Sequence, residues 1–169
     1  LKEMVFSSGG RGAIFGLSGG LDSSVVAVLC QKAFGPHCLG LIMPCYSQAT
    51  DREHAELVAE EFAIPLKIIN LDGAYTQMLL ALGGEKGEED RQSLAAANIK
   101  PRLRMAALYY WSARLHYRVI GTGNKSEILI GYFTKHGDSG VDLEPLGDLL
   151  KEEVWELAHY LKIPREIID

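Results

Sequence analysis

Residues 16–23 read Gly-Leu-Ser-Gly-Gly-Leu-Asp-Ser and lie between an apolar segment and an apolar helical pattern. The segment from Ala13 to Leu17 is short and small or apolar, which predicts a buried strand, and the apolar spacing from Ser23 to Phe34 predicts a helix. A loop that leaves a strand and enters a helix presents free backbone N–H groups and the positive end of the helix dipole. The sequence therefore predicts an anion site, with phosphate as the expected occupant.

The residues around the two glycines indicate the kind of phosphate site. Gly19 and Gly20 permit positive φ angles and a close approach of ligand to backbone. Asp22 would repel phosphate unless a cation lay between them, so we expect Mg²⁺ to bridge this carboxylate and the phosphate oxygens. No lysine occupies the position that a kinase-type loop requires, which excludes that motif. Three serines are expected to add hydroxyl donors around the loop: Ser18, Ser23 and Ser24.

A simpler interpretation of the same segment is a glycine turn that opens a helix. Asp22 would then be an acid in the first helical turn, where the helix dipole favours negative charge. The complete pattern of serines, paired glycines and aspartate directly after a predicted strand favours the phosphate site over the plain turn.

The composition of the chain excludes several classes of function. Its 169 residues suffice for one domain with a sizeable core, and the net charge of −5 argues against a broad nucleic-acid surface. No apolar segment approaches membrane-spanning length and no secretory signal is recognisable, so we expect a cytoplasmic protein that does not bind membranes. Cys30, Cys38 and Cys45 lack metal-ligand spacing and are expected to be buried free thiols, with a redox pair or a sulfur-carrying cysteine as the alternative.

Strand and helix patterns alternate along the chain. Further strands are predicted at 38–43, 66–71 and 117–121, further helices at 51–63, 73–82 and 101–116, and a solvated loop at 83–90. This order predicts an α/β fold, a doubly wound parallel sheet flanked by helices on both faces. Ligands collect at the carboxyl ends of the strands in such sheets, where Ser18, Met43 and Thr122 are expected to lie.

A basic segment, Asn98 to Met105, is expected to open the helix at 101–116. Pro101 suits the first helical position because proline has no N–H that would need a partner. Cations at a helix N-terminus oppose the helix dipole, so an anionic ligand is expected to contact them; the alternative is a solvated basic turn. The segment contains three cations: Lys100, Arg102 and Arg104.

Two further segments carry polar residues that fit the predicted site. In residues 121–127, Thr122 would place a hydroxyl at a strand end and Glu127 would be a second Mg²⁺ ligand, although Glu127 could equally be an ordinary exposed acid on a helix. Residues 131–151 contain several glycines and are expected to form loops, which often carry function. The polar residues of this stretch could orient a phosphate-bearing substrate and transfer a proton, unless they belong to a charged surface loop: Lys135, Asp138, Asp142 and Lys151.

The first loop resembles the pyrophosphate loop of the N-type ATP pyrophosphatases, enzymes that cleave ATP between its α and β phosphates. Residues 98–105, 121–127 and 134–151 are similar to the motifs of the ammonia-dependent NAD synthetases within that superfamily, and the match spans residues 16–151. The resemblance implies an adenine nucleotide α-hydrolase-like, Rossmann-like fold. It also implies a ligase of NAD biosynthesis that converts ATP, deamido-NAD and ammonia to NAD, AMP and pyrophosphate through an adenylated intermediate.

The resemblance also implies roles for individual residues. The ATP phosphates would contact Gly16, Leu17, Ser18, Gly19, Gly20, Leu21, Asp22 and Ser23, and Thr122 and Lys151 would complete the ATP site. Mg²⁺ would be held by Asp22 and Glu127, and deamido-NAD by Arg102, Lys135 and Asp142. Asp138 would be catalytic, positioning ammonia and accepting its proton. The resemblance also implies a homodimer. The family's extra N-terminal helix and its C-terminal substrate-binding segment are expected to lie outside the single domain at residues 1–169.

Two alternatives stay open at this level, one within the same class of enzymes and one from a different class. The chain could be another amidating or thiolating enzyme with the same first loop, such as a GMP synthetase, although residues 134–151 have no counterpart there. It could also be a nucleotide-binding module without turnover.

Overall fold

The computed structural model of the chain describes residues 1–83 and 93–168. Its strands are β1 (Ala13–Gly16), β2 (Cys38–Ile42), β3 (Leu66–Ile68) and β4 (Arg118–Ile120). They form one four-stranded sheet in the order β3-β2-β1-β4, and all neighbouring strands are parallel. The loop predicted at 83–90 lies, from residue 84 onward, outside the described residues.

The described residues form nine α-helices, and they cover both faces of the sheet. These are α1 (Lys2–Ser7), α2 (Leu21–Phe34), α3 (Ala49–Glu61), α4 (Asp72–Ala81), α5 (Leu94–Ala97), α6 (Ile99–Leu115), α7 (Lys125–Ile130), α8 (Lys151–Leu161) and α9 (Arg165–Ile168). None of these described helices is long and apolar enough to cross a membrane. The predicted doubly wound α/β fold is confirmed.

Strands β1 and β2, in the middle of the sheet, are mostly buried on both faces, which explains why they are nearly continuous apolar runs, whereas the edge strand β3 is partly exposed. Successive residues of β1 point to opposite sides: Phe15 packs with residues of α2, α3 and α8, whereas Ile14 packs with residues of α4 and α6. Both side chains are fully buried. This sandwich fixes the carboxyl ends of β1, β2 and β4 along one edge.

Several boundaries differ from the sequence prediction for local reasons. The strand predicted at 66–71 ends at Ile68, because the Asn70 side chain accepts a hydrogen bond from the Asp72 N–H at 2.8 Å and helps to start α4. The helix predicted from Pro101 begins at Ile99, so the proline is the third helical residue rather than the first. It is tolerated because the N–H groups of a first turn have no partner within the helix. The sequence patterns did not predict α1, α5 or α8.

All three cysteines are free and buried, as predicted. Burial raises the pKa of the Cys30 thiol, and the neighbouring Cys38 raises it further. Burial also raises the pKa of Cys38 to about 11 and shifts the pKa of Cys45 upward. Because the thiolate is the reactive form of cysteine, raised pKa values make these thiols poor nucleophiles, which disfavours the sulfur-carrying alternative.

Candidate functional site

The predicted phosphate loop joins β1 to α2 and is shaped by its own serines. The hydroxyl oxygens of Ser18 and Ser23 are 2.9 Å apart, and Ser23 donates to the Gly20 carbonyl at 2.9 Å. The Gly20 N–H in turn donates to the Ser18 hydroxyl at 3.3 Å. The expectation for Ser24 is wrong: this residue is fully buried, and its hydroxyl donates to the Gly20 carbonyl at 2.8 Å instead of facing the loop's concavity.

Only glycine fits at position 19. Its φ is +87°, and a Cβ there would lie 2.2 Å from the carbonyl oxygen of Asp51 in α3. We therefore expect Gly19→Ala to strain the backbone and to push the loop away from α3, which should lower the free energy of unfolding by about 1–3 kcal/mol and weaken ATP binding. Urea denaturation and an equilibrium titration with ATP measure both effects.

Gly20→Ala is the matched control for this prediction. Gly20 has a φ of −82°, which any residue adopts. A Cβ added there would have the Ser18 hydroxyl oxygen as its nearest neighbour, at an ordinary contact distance of 3.5 Å. This variant should keep nearly all of the stability. Equal losses of stability in the two variants would contradict the steric argument.

The Asp22 side chain is hydrogen-bonded to residues from two distant segments of the chain. Lys151, the first residue of α8, donates a hydrogen bond to Oδ2 of Asp22, and the side-chain amide of Asn124 donates to Oδ1 at 2.9 Å. The Asn124 side-chain oxygen accepts from the Glu127 N–H at 3.0 Å, and the Glu127 carboxylate accepts from the Asn124 N–H at 3.2 Å. The backbone N–H of Lys151 donates to the Ser126 hydroxyl at 3.1 Å. The two predicted metal ligands, Asp22 and Glu127, are thus linked through one asparagine.

Two adjoining cavities open at the carboxyl ends of the strands, with volumes of about 440 Å³ and 360 Å³. The first runs over apolar side chains such as Leu41 and Leu108, and the second has a larger share of polar lining groups than the first. The expected meeting of Ser18, Met43 and Thr122 at one edge is confirmed, since all three line the first cavity. Four residues line both cavities: Ser18, Ser23, Thr122 and Asp138.

The rest of the predicted phosphate loop is divided between these cavities and the core. Gly16 and Leu17 line the first cavity, and Gly20 lines the second. Leu21 is buried in the hydrophobic core, so only its backbone could contact a ligand.

The second cavity is strongly acidic. Four carboxylates line it, those of Asp22, Glu127, Asp138 and Glu144. Its described lining residues include no lysine or arginine, and the ammonium group of Lys151 reaches only the Asp22 carboxylate at its margin. Burial, followed by the nearby Asp138 and Glu127 carboxylates, raises the pKa of Glu144. Such an arrangement of oxygen donors and negative charge suits small cations.

The raised pKa of Glu144 makes the stability of the protein depend on pH in a defined direction. Between the ordinary glutamate pKa of 4.5 and the raised value, the folded state binds more protons than the unfolded state. The free energy of unfolding therefore falls as the pH rises through this interval. Glutamine cannot ionise, so we expect Glu144→Gln to stabilise the protein at neutral pH and to give no such gain below the ordinary glutamate pKa.

Urea denaturation of the wild-type protein and of Glu144→Gln, at neutral pH and below the ordinary glutamate pKa of 4.5, measures this difference when a metal chelator is present. A gain of the same size at both pH values would contradict the electrostatic explanation and would indicate a packing effect.

The carboxylates of Asp22 and Glu127 fit a magnesium ion that is shared with phosphate. Mg²⁺ is usually held by one or two carboxylates together with water and substrate phosphates. Each oxygen of Asp22 accepts one described hydrogen bond, and a carboxylate oxygen has a second lone pair available for a metal. Across residues 1–83 and 93–168, no three or more histidine, cysteine, aspartate or glutamate side chains form a group that could hold a metal by themselves.

The residues predicted to bind deamido-NAD lie outside the two cavities. Arg102 donates to the carbonyl oxygen of Lys135 at 3.3 Å, so the structure brings these two residues together. Asp142 makes separate contacts: its carboxylate accepts from the Tyr109 hydroxyl at 3.0 Å and from the Val119 N–H at 2.8 Å. Burial and the bond to this carboxylate raise the pKa of Tyr109 to about 12. The role of the three residues in dinucleotide binding stays a prediction.

Sequence analysis missed two residues at the site, Asn124 and Glu144, for different reasons. Asn124 had a usable signal, because an asparagine followed three residues later by glutamate is typical of a capping box. Glu144 had none, since only the fold carries it to the acidic cavity. Arg104, one of the three cations expected to contact an anionic ligand, lines the first cavity and donates to the Met43 carbonyl at 3.1 Å.

Comparisons with known proteins show which family this chain resembles. A family model described as NAD synthase matches residues 1–169. The chain is 50% identical over 168 residues to the NH(3)-dependent NAD(+) synthetase of Carboxydothermus hydrogenoformans, an alignment that covers 99% of this chain and 69% of that protein.

Two solved structures share the fold over nearly the whole chain. The NMN synthetase from Francisella tularensis superposes with a TM-score of 0.93 at 35% identity, covering 100% of this chain and 69% of that one. The NH3-dependent NAD synthetase from Campylobacter jejuni superposes with a TM-score of 0.89 at 34% identity, covering 99% of this chain and 71% of that one.

Proposed function

The chain belongs to the NAD synthase family, and from this premise we propose that it catalyses the ATP-dependent amidation of deamido-NAD with ammonia. In the first step, a nicotinate carboxylate oxygen attacks the α-phosphorus of ATP and pyrophosphate leaves. In the second step, ammonia attacks the adenylated carbonyl carbon, a proton is lost from nitrogen, and AMP leaves with the carboxylate oxygen. The enzyme is a ligase that forms a C–N bond, and its products are NAD, AMP and pyrophosphate.

The observation that carries this proposal is the junction of the two cavities at the phosphate loop. The first cavity has an apolar surface beside the loop, which suits the base and ribose of ATP. The second has four carboxylates, which suit the cations that accompany phosphate transfer and amidation. Ser18 and Ser23 line both, so a triphosphate on the loop would extend from one cavity into the other.

Different residues of the chain would bind the phosphates, hold the metal and accept the proton. The phosphate loop and the Thr122 hydroxyl would bind and orient the phosphates, and Lys151 would add positive charge beside them. Asp22 and Glu127 would hold Mg²⁺, which when bound supplies charge neutralisation at the phosphate oxygens. Asp138 lines both cavities and would position ammonia beside the activated carbonyl and accept its proton.

The finer assignments are proposals that rest on the resemblance to the family. Arg102, Lys135 and Asp142 would bind deamido-NAD, and residues 1–169 would form one synthetase domain. We also propose a cytoplasmic homodimer that uses Mg²⁺. The free thiols support a reducing compartment, and exposed apolar side chains beside the acidic cavity, Ile130 and Tyr132 among them, support a contact with a second copy.

A substrate comparison tests the proposed function. The protein is incubated with ATP, Mg²⁺ and ammonium, together with deamido-NAD, nicotinic acid mononucleotide or XMP, and AMP and the amidated products are quantified. We expect AMP and NAD with deamido-NAD. AMP formation with XMP alone would refute the proposal, and ATP binding without any AMP release would favour a module without turnover.

The mononucleotide is included because of one observation. A solved structure with a TM-score of 0.93 to this chain is an NMN synthetase, so amidation of the mononucleotide is the second candidate function. A higher kcat/KM for the mononucleotide than for deamido-NAD would favour it.

A further inference from the structure

We propose that Asn124 is a positioning residue that aligns the carboxylates of Asp22 and Glu127, so that the two act as a single cation site. The proposal rests on the proposed function, because it assigns a role within the same ATP site. Asn124 is completely buried at the junction between β4 and α7. It does not line either cavity, so it acts through its two neighbours and not by contacting substrate.

Three hydrogen bonds place Asn124 between the two acids. Its side-chain amide donates to Oδ1 of Asp22 at 2.9 Å, and its side-chain oxygen accepts from the Glu127 N–H at 3.0 Å. Its backbone N–H donates to Oε2 of Glu127 at 3.2 Å. One residue therefore fixes the orientation of a carboxylate on α2 and of another on α7, two helices that are far apart in the sequence.

The orientation matters because the two carboxylates repel each other in the absence of a cation. Lys151 offsets part of the charge of Asp22, but it contacts the other oxygen, Oδ2. The neutral amide of Asn124 holds Oδ1 without neutralising the carboxylate, so the negative charge needed for a cation is kept. Removal of a residue that hydrogen-bonds to a metal ligand typically lowers metal affinity about tenfold to a hundredfold.

Among the residues that commonly cap helices, only asparagine can make both side-chain hydrogen bonds seen at position 124. Serine and aspartate could accept from the Glu127 N–H, but serine is too short to reach Asp22 as well, and an ionised aspartate has no donor and adds a third negative charge. Asparagine alone combines a capping oxygen with an N–H₂ donor on one short side chain. Asn124→Ser therefore keeps the helix cap and removes only the link to Asp22.

The test measures cation binding directly. Binding of α,β-methylene-ATP, which cannot be cleaved between the α and β phosphates, is titrated calorimetrically with EDTA and at increasing Mg²⁺ concentrations. We expect Asn124→Ser to leave binding in EDTA unchanged and to raise the half-saturating Mg²⁺ concentration about tenfold or more. An unchanged Mg²⁺ requirement in folded Asn124→Ser protein would overturn the proposal.

Ser112→Ala is the matched control, because it also removes a buried polar side chain. The Ser112 hydroxyl donates to the Tyr117 carbonyl at 2.7 Å and lines neither cavity. This variant should lose stability without any change in the Mg²⁺ requirement. A shift as large as that of Asn124→Ser would overturn the proposal, since it would show that loss of stability alone produces the effect.

A double-mutant cycle separates this proposal from the proposed function. If Asn124 acts through Asp22, Asn124→Ser should cause little further change in Mg²⁺-dependent nucleotide binding once Asp22→Ala is present. Full additivity of the two substitutions would overturn the role of Asn124. NAD formation by the wild-type protein is assayed separately. Failure of the proposed reaction would appear in that assay, whereas failure of the role of Asn124 would appear in the nucleotide-binding cycle.

Discussion

Asp22→Asn should lower kcat by about a hundredfold or more at saturating ATP and Mg²⁺. Asparagine has the size of aspartate, and its carbonyl oxygen can still accept the hydrogen bond from Asn124. It lacks the negative charge that would hold the cation against the phosphates. The ion pair with Lys151 is partly exposed, so its loss should cost only about 1 kcal/mol of unfolding free energy. AMP release measured over a Mg²⁺ titration, together with urea denaturation, separates the two effects.

Asp148→Asn is the control for this charge change. Asp148 is an acid in the segment that leads into α8, and it lines neither cavity. It should retain wild-type turnover and the wild-type Mg²⁺ requirement. Turnover close to wild type in Asp22→Asn would count decisively against a metal-binding role for this carboxylate.

The part of the fold that the sequence predicts best is the part determined by local patterns. Strand β1, the glycine pair and α2 follow one another within about twenty residues, and each has a signature that depends only on its neighbours: an apolar run, a loop with positive φ, and an apolar helical face. Buried parallel strands are nearly continuous apolar runs, so the number of strands and their approximate positions along the chain were predictable, whereas strand ends were displaced by side-chain hydrogen bonds such as that of Asn70.

The site itself depends on contacts that no local pattern encodes. Asp22 and Asn124 meet only because α2 and α7 both begin at the same edge of the sheet, and Lys151 joins them from α8, a helix that the sequence did not predict. Glu144 faces the acidic cavity because the loop after β4 folds back over Gly121 and Gly123. A Cβ added at either glycine would lie 2.9 Å from an atom of the Glu144 side chain. Sequence motifs identified most members of the site, but the tertiary structure decides which of them act together.

Asp138 is the residue whose removal should separate the two chemical steps. Its carboxylate lines both cavities and accepts a hydrogen bond from the Thr134 N–H at 2.7 Å. Asp138→Asn can keep that bond but cannot accept a proton from ammonia. We expect NAD formation from ammonium to fall about a hundredfold or more, while the exchange of labelled pyrophosphate into ATP, which reports the first step, stays close to wild type.

A change of nucleophile tests whether proton transfer is the step that Asp138→Asn impairs. Ammonium must lose a proton before nitrogen can attack the carbonyl, whereas hydroxylamine is already uncharged at neutral pH. If Asp138 accepts the proton that ammonium loses before the attack, hydroxylamine should restore much of the lost rate, measured as formation of the hydroxamate product relative to wild type. An equal loss with both nucleophiles would exclude deprotonation of ammonium as the impaired step, and a loss of pyrophosphate exchange would place Asp138 in the first step.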